Sequence, residues 1–169
     1  ERHQGQGVAF RKGIMSATKE FVVFVPVDNP MDADDIEAYL KRIDVCDIIV
    51  GVRAERVGYT SPALFLSFVY NRILIPLLFN VGISDVNWIQ MYRRELFINK
   101  TLSYESKSMF WLVEVLVNAK RNRLIIVEVP AKMKKRIYGK KTNTRTTVLI
   151  NTLFEMLRYF WKIQMESRR

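Results

Sequence analysis

Four carboxylates, Asp28, Asp32, Asp34 and Asp35, fall in the stretch 20–35, EFVVFVPVDNPMDADD. Acids grouped in this way can hold a divalent metal or a polar substrate, provided the chain positions them. The stretch begins with a run from Phe21 to Val25 in which Val and Phe do not alternate with polar residues, the pattern of a strand covered on both faces. Pro26 and Pro30 end the ladder, since proline has no N–H to contribute. The acids therefore gather just past the C-terminal end of a strand, where open α/β sheets place their ligands. A plainer alternative exists for three of them. Asp32, Asp34 and Asp35 can cap the next helix, IEAYLKRI, where negative charge suits the N-terminal dipole. Asp28 lies too far upstream to cap, which singles it out.

Composition removes several other chemistries. The single histidine, His3, leaves almost no material for histidine zinc sites or Ser-His-Asp triads. The single cysteine, Cys46, excludes an internal disulfide and sits in the strand-like run DVCDIIVGV, where it reads as a small core residue. At 169 residues and 49% hydrophobic, the chain can bury one sizeable core. Its net charge of +10 is uneven: residues 120–169 hold 14 Lys/Arg against three Glu, and the first 119 residues come to about −1. A basic half of this kind suits an anionic partner, whether phosphate, nucleic acid or an anionic membrane. The opening ERHQGQG has neither an initiating methionine nor a signal-peptide pattern, so a piece of a longer protein is expected.

The elements that would position these groups follow in order. Residues 7–18 read as a short helix with Val8, Ile14 and Met15 among its apolar positions. Residues 34–43 form the next helix, and 47–52, DIIVGV, a second buried strand ending at Arg53, so that 21–52 makes a parallel βαβ unit. The most apolar segment is 62–83. Asn71, Arg72 and Pro76 in its middle argue against a membrane span and for a buried or interface-lying helix, bent or ended near Pro76. Residues 84–96 read as a loop returning to helix, 106–120 as helix, and 123–130, RLIIVEVP, as a third strand stopped by Pro130. A basic loop, 131–144, precedes a final helix from Thr146 whose polar residues Asn151, Glu155, Arg158, Lys162 and Glu166 form one narrow stripe. Such a helix needs a partner, a membrane surface or a following span to cover it.

Several of these pieces, taken in order, resemble the inverting sugar-nucleotide glycosyltransferases of the GT-A fold, above all their dolichyl-phosphate mannose synthase branch. GQGVAFRKGIMSAT resembles the family's Gly-Lys-Gly-x-Ala-x-x-x-Gly helix start, with Gly5, Gly7, Ala9 and Gly13 in place. FVVFVPVDNPMDADDI resembles the strand and Asp-x-Asp loop, and DIIVGVR the family's Asp-Ile-Val-x-Gly-Ser-Arg. Ser67 and Asn71 fit the following helix, and SDVNWIQMYRREL fits the segment with the catalytic aspartate. MFWLVEVLVNAKRNRLIIVEVP resembles the helix and strand ending in Glu-Val-Pro, and RIYGKK resembles Arg-x-x-Gly-x-Ser-Lys.

The resemblance implies an α/β fold, a Rossmann-like GT-A sheet in three αβα layers, N-terminally incomplete and followed by a C-terminal amphipathic helix. Residues 1–145 would be the C-terminal portion of the catalytic domain and 146–169 the docking helix. It implies a catalytic Asp85, a Mg2+ or Mn2+ site at Asp28 with Asp32, phosphate-binding Arg53, Arg136 and Lys141, and a nucleotide-sugar loop at Gly5 and Gly7. The chain departs from the pattern at several points. The first Asp of the metal motif is Pro26 and a further ligand position is Pro30, which weakens the metal site. The Lys of the glycine start is Gln6, a second phosphate-facing Arg is Ala63, Trp88-Ile89 replaces Ser-Gly-Phe and reshapes the acceptor site, and the Ser-Lys of the basic loop reads Lys140-Lys141. The family's opening βα units have no counterpart.

Three functions stay open on the sequence. The first is a glycosyltransferase, or part of one, moving a sugar from a nucleotide-diphosphate donor to a polyprenyl-phosphate or other lipid-linked acceptor. It would work at the cytoplasmic face of a membrane, held peripherally or by a segment outside this chain. The second is a relative that kept the fold and lost the chemistry, acting as a partner subunit, with an oligomer formed through the last helix as one arrangement. The third is a nucleic-acid binder built on KMKKRIYGKK, against which stands the lack of any recognisable nucleic-acid motif.

Overall fold

The run Ile48–Arg53, IIVGVR, forms the central strand β2 and is buried on both faces, as its lack of alternation requires. Ile48 and Val50 point into one core and Ile49 into the other. The computed structural model describes residues 4–27, 31–134 and 146–167. It shows a four-stranded sheet whose other strands are β1 (Phe21–Phe24), β3 (Gln90–Arg93) and β4 (Ile126–Ala131), in the order β1-β3-β2-β4. The β2–β4 pair is parallel, whereas β3 runs antiparallel to both β1 and β2.

The sheet lies between two helical layers. On one face α2 (Ala33–Leu40) places Tyr39 against Ile49, Trp88, Ile89 and Met91. On the other, α1 (Gln6–Ser16) and α6 (Trp111–Arg121) pack with Val22, Val50 and Tyr92. Trp111 is fully enclosed there, stacked on Phe10 at 4.4 Å and edge-on to Phe24 at 5.3 Å. Aromatic pairs in these geometries add about 1 kcal/mol each beyond burial. Cys46 is buried in the α2-side core, its thiol donating to the Arg42 carbonyl at 2.9 Å. The expected α/β three-layer architecture is present.

Three elements differ from the sequence expectation. β3 lies inside 84–96, where a loop and helix are expected, and it separates β1 from β2, so these two run parallel without pairing directly. Gln90 and Arg93 disguise the strand. Gln90 is fully buried because its amide donates to the Val86 carbonyl at 2.8 Å and accepts the Tyr92 hydroxyl at 2.5 Å. Next, β4 continues through Pro130, which pairs with Val52. It is an edge strand, where a missing N–H can face outward.

The third difference is the apolar segment. It runs as a continuous helix, α3 (Ser61–Phe68), a wide π turn (Val69–Leu74) and α4 (Ile75–Phe79), ended by Asn80 in the left-handed conformation. It is mostly exposed, not buried: Phe65, Leu66, Phe68 and Leu77 all face outward. The helix widens before Pro76 instead of breaking there: the π turn departs from the regular i→i−4 ladder just ahead of a residue that has no N–H to give it. The final helix, α7 (Thr146–Glu166), lays four residues of its polar stripe against the 105–108 segment and Arg121, while Asn151 stays exposed. Glu155 accepts from the Lys107 and Ser108 amides at 3.0 Å, Arg158 and Lys162 pair with Glu105 at 3.3 and 2.7 Å, and Glu166 pairs with Arg121 at 2.8 Å. Met156 and Tyr159 are its buried apolar contacts, while Phe154, Trp161 and Met165 point to solvent.

Candidate functional site

β1, β2 and β4 run in the same direction, so their C-terminal ends share one edge of the sheet with the N-terminal end of antiparallel β3. Arg53 closes β2 at that edge, and Asp85 arrives five residues before β3. The two form a buried bidentate pair: Arg53 Nε donates to Oδ2 at 2.6 Å and Nη2 to Oδ1 at 2.7 Å, with side-chain exposures of 4% and 1%. Parallel forked bonds of this kind are the strong, directional form of the arginine–carboxylate pair. A second guanidinium, that of Arg56, reaches Oδ2 at 3.3 Å. Arg53 Nη1 donates to the Tyr59 hydroxyl at 3.0 Å, and the Trp88 ring lies 4.6 Å from its guanidinium carbon. Burial alone would lower the Arg53 pKa, but the hydrogen bonds and charge of Asp85 reverse that and hold it above its usual value.

Asp85 is fixed from both sides in the chain. Ser84 donates its amide and its hydroxyl to Glu128 of β4, at 2.6 and 3.2 Å. The Val86 amide donates to Asn71 Oδ1 at 3.1 Å, and Asn71 Nδ2 donates back to the Ser67 carbonyl at 2.8 Å. The π turn is what rotates Asn71 inward to do this, and its side chain satisfies a carbonyl of the preceding turn. On the far side of β2, Gly51 lets the Tyr39 hydroxyl and the Trp88 ring approach the strand; a Cβ there would run into Tyr39 and lie 3.0 Å from Trp88.

The remaining candidates lie apart from this pair. Asp32 stands just ahead of α2 without making a side-chain cap and is ion-paired with Lys134, while Asp34 pairs with Lys132 at 3.4 Å. Asp35 is buried and accepts the Lys132 amide at 3.5 Å. Asp32 is thus next to the segment following β4, at the same sheet edge as Arg53. Among the described residues no three His, Cys, Asp or Glu side chains come together as a metal site. Asp32, the described member of the expected metal pair, is taken up by Lys134. Asp28, Arg136 and Lys141 lie outside the described residues. Gly5 and Gly7 pack against the 104–107 segment. A Cβ on Gly5 would meet the Lys107 carbonyl oxygen and one on Gly7 that of Ser106; Gly7 N–H bonds the former at 3.1 Å, and the Tyr104 hydroxyl bonds the Gly7 carbonyl at 2.8 Å. Gly5 has φ +100°, a conformation L side chains rarely adopt.

Sequence reasoning did not find Arg56, Tyr59 or Glu128. The spacing Arg-x-x-Arg after a buried strand was the available signal for Arg56. Trp88, expected to reshape an acceptor site, is 5% exposed and lies against Arg53.

No protein-family model matches the sequence. The fold is similar to glucosyl-3-phosphoglycerate synthase from Mycobacterium tuberculosis in complex with phosphoglyceric acid, with a TM-score of 0.65 at 14% identity over 92% of this chain and 56% of that one. Another structure of that enzyme, with Mn2+, UDP-glucose and phosphoglyceric acid, gives 0.65 at 15% identity over 92% and 55%. This likeness establishes the GT-A glycosyltransferase fold. The chain spans a little over half the length of the structures it matches.

Proposed function

We propose that this chain belongs to a glycosyltransferase that moves a sugar from a nucleotide-diphosphate donor to a lipid-linked phosphate at a membrane surface. The observation that carries the reading is the buried Arg53–Asp85–Arg56 cluster at the ligand-binding edge of a GT-A sheet. Guanidinium groups held rigidly at that edge suit the oxygens of a leaving diphosphate or an incoming phosphate. Arg136 and Lys141, by the sequence resemblance, would add to this charge. In the similar enzyme, UDP-glucose and phosphoglyceric acid occur in one structure, a nucleotide-diphosphate sugar beside a phosphate-bearing molecule.

The same cluster bears on the acceptor. Both oxygens of Asp85 are already engaged by arginine donors. A hydroxyl acceptor would require a base to take its proton. An acceptor phosphate does not, because its second pKa is near 6 and it is ionised at neutral pH. Asp85 then serves by orienting the arginines, and the acceptor phosphate attacks the sugar carbon as the diphosphate leaves. Two apolar faces support a lipid-borne acceptor. The helix Ser61–Phe79 is long and apolar enough by composition to cross a membrane and is mostly exposed. α7 meets its end, with the Phe79 and Phe160 rings 6.2 Å apart, and shows Phe154 and Trp161 outward. The basic stretch 120–169 would be drawn to anionic headgroups by about 1 kcal/mol per residue near the surface.

Nucleoside diphosphate release tests the reading. The polypeptide as its own cells make it is supplied with UDP-, GDP- and dTDP-sugars, with and without anionic vesicles carrying polyprenyl phosphate. Release that requires both a donor and polyprenyl phosphate is expected. Release unaffected by the lipid phosphate would contradict the lipid acceptor, and none with any donor would contradict the enzyme and favour a partner subunit that kept only the fold.

A further inference from the structure

Arg53 and Arg56 meet the same carboxylate oxygen on unequal terms. Three donors of Arg53 are engaged, Nε and Nη2 by Asp85 and Nη1 by Tyr59, and its side chain is 4% exposed. A guanidinium carries five N–H groups in a fixed fork, so a group tied at all three nitrogens and stacked near Trp88 has little left to offer a ligand. Arg56 makes one contact, at 3.3 Å, keeps 18% of its side chain exposed, and follows β2 in the loop that leads to α3. Its Nη1 is shielded from solvent and has no hydrogen-bond partner. An enclosed donor without an acceptor is destabilising, and an arriving anionic oxygen relieves that.

We propose that Arg56 is the residue that grips a phosphate oxygen at this site, with Arg53 and Asp85 as the fixed base against which it is set. The inference rests on the glycosyltransferase reading and divides the labour within it. Arg53, the arginine to which the resemblance assigns phosphate binding, positions; Arg56, at no position of that pattern, binds. The single contact to Asp85 lets Arg56 turn toward a ligand, while the bidentate pair beside it stays closed. Arg56 also supplies a cation near the strand end in a chain that has Ala63 and Gln6 where the related pattern carries basic residues. The ligand chemistry is a phosphate oxygen, of either the donor diphosphate or the acceptor monophosphate.

The test is calorimetric titration of the full polypeptide with two probes, UDP and geranyl phosphate, for the wild type, Arg56→Gln and Arg56→Lys. Loss of a charge-assisted hydrogen bond predicts at least tenfold weaker binding of one probe or both in Arg56→Gln, with partial recovery in Arg56→Lys. The arm that weakens identifies which phosphate is held. The melting temperature should stay within about 2 °C of wild type, since the group is not tightly paired. Arg56→Gln binding both probes as the wild type does would overturn this inference and leave the glycosyltransferase reading intact. A wild type that binds neither probe would overturn both. Equal losses in Arg56→Gln and Arg56→Lys together with a fall in melting temperature of 5 °C or more would also overturn it, since the role would then be structural.

Discussion

Replacing Asp85 by Asn keeps the shape of the side chain and removes the charge that two arginines share. Arg53 then remains in a site where its side chain is 4% exposed, with its bidentate partner neutral and one of its acceptors converted to a donor. Removing one member of a buried pair costs about 3–5 kcal/mol, because the other charge is left uncompensated. At about 0.35 kcal/mol per degree for a chain of this length, that is a fall in melting temperature of roughly 10 °C. The pair itself need not be strongly stabilising, since desolvation offsets most of its attraction. The double replacement Arg53→Met with Asp85→Leu should therefore be more stable than Asp85→Asn alone, with a coupling energy of about 2 kcal/mol or more between the two sites. Urea unfolding of the wild type, both single variants and the double variant measures this. A loss under about 1 kcal/mol for Asp85→Asn, or a double variant as unstable as the sum of its singles, would refute a buried, coupled pair.

Gly51→Ala should cost about 1–3 kcal/mol by forcing Tyr39 and Trp88 away from β2, read as a lower urea midpoint with an unchanged slope. Asn71→Ala leaves the Val86 amide and the Ser67 carbonyl without their partner and should cost about 2 kcal/mol, accompanied by faster hydrogen exchange at Val86. Burial raises the pKa of Tyr104 to about 12 and also pushes up those of Tyr39, Tyr70, Tyr92 and Tyr159. Each contributes stability that is complete below the unfolded value near 10 and is lost as pH rises toward the folded value, by up to about 1.4 kcal/mol per group per pH unit. Absorbance at 295 nm should show these tyrosines ionising together with unfolding above pH 10; independent, reversible titration of all of them near pH 10 would count against their burial. Phe154→Glu with Trp161→Glu should abolish flotation with anionic vesicles while leaving the melting temperature within about 2 °C, and unchanged flotation would remove α7 from the docking surface.

Much of the architecture was legible because it follows from periodicity. The unalternating run at 47–52 gives a strand covered on both faces, whereas the run at 21–25 also gives a strand but an outer one, with Val23 exposed, because β1 stands at the end of the sheet. What periodicity could not give is pairing across the sheet. Gln90 looks like a surface residue until the Val86 carbonyl and Tyr92 hydroxyl are brought to it, so β3 and the separation of β1 from β2 stayed hidden. The polar stripe of α7 likewise reads as a solvent face. Much of it is instead engaged by Glu105, the 107–108 amides and Arg121, and Phe154 and Trp161 are left outward. The ordered resemblance names both Arg53 and Asp85, and the structure pairs them with each other at the C-terminal end of β2. It could not single out Arg56, which matters through a contact made across 29 positions of the chain.

The account stands or falls on the acceptor being an ionised phosphate approached through lipid. The direct measurement is recovery of a labelled sugar in the lipid phase after incubation of the native-length polypeptide with nucleotide-sugar donors and either polyprenyl phosphate or the corresponding polyprenol. Label in the phosphate lipid and none in the alcohol is the predicted result, with loss of that label in Arg53→Met. Equal label in the alcohol would show that a base is at work and that Asp85 is not confined by its arginines; no label in either lipid from any donor would contradict the enzyme itself.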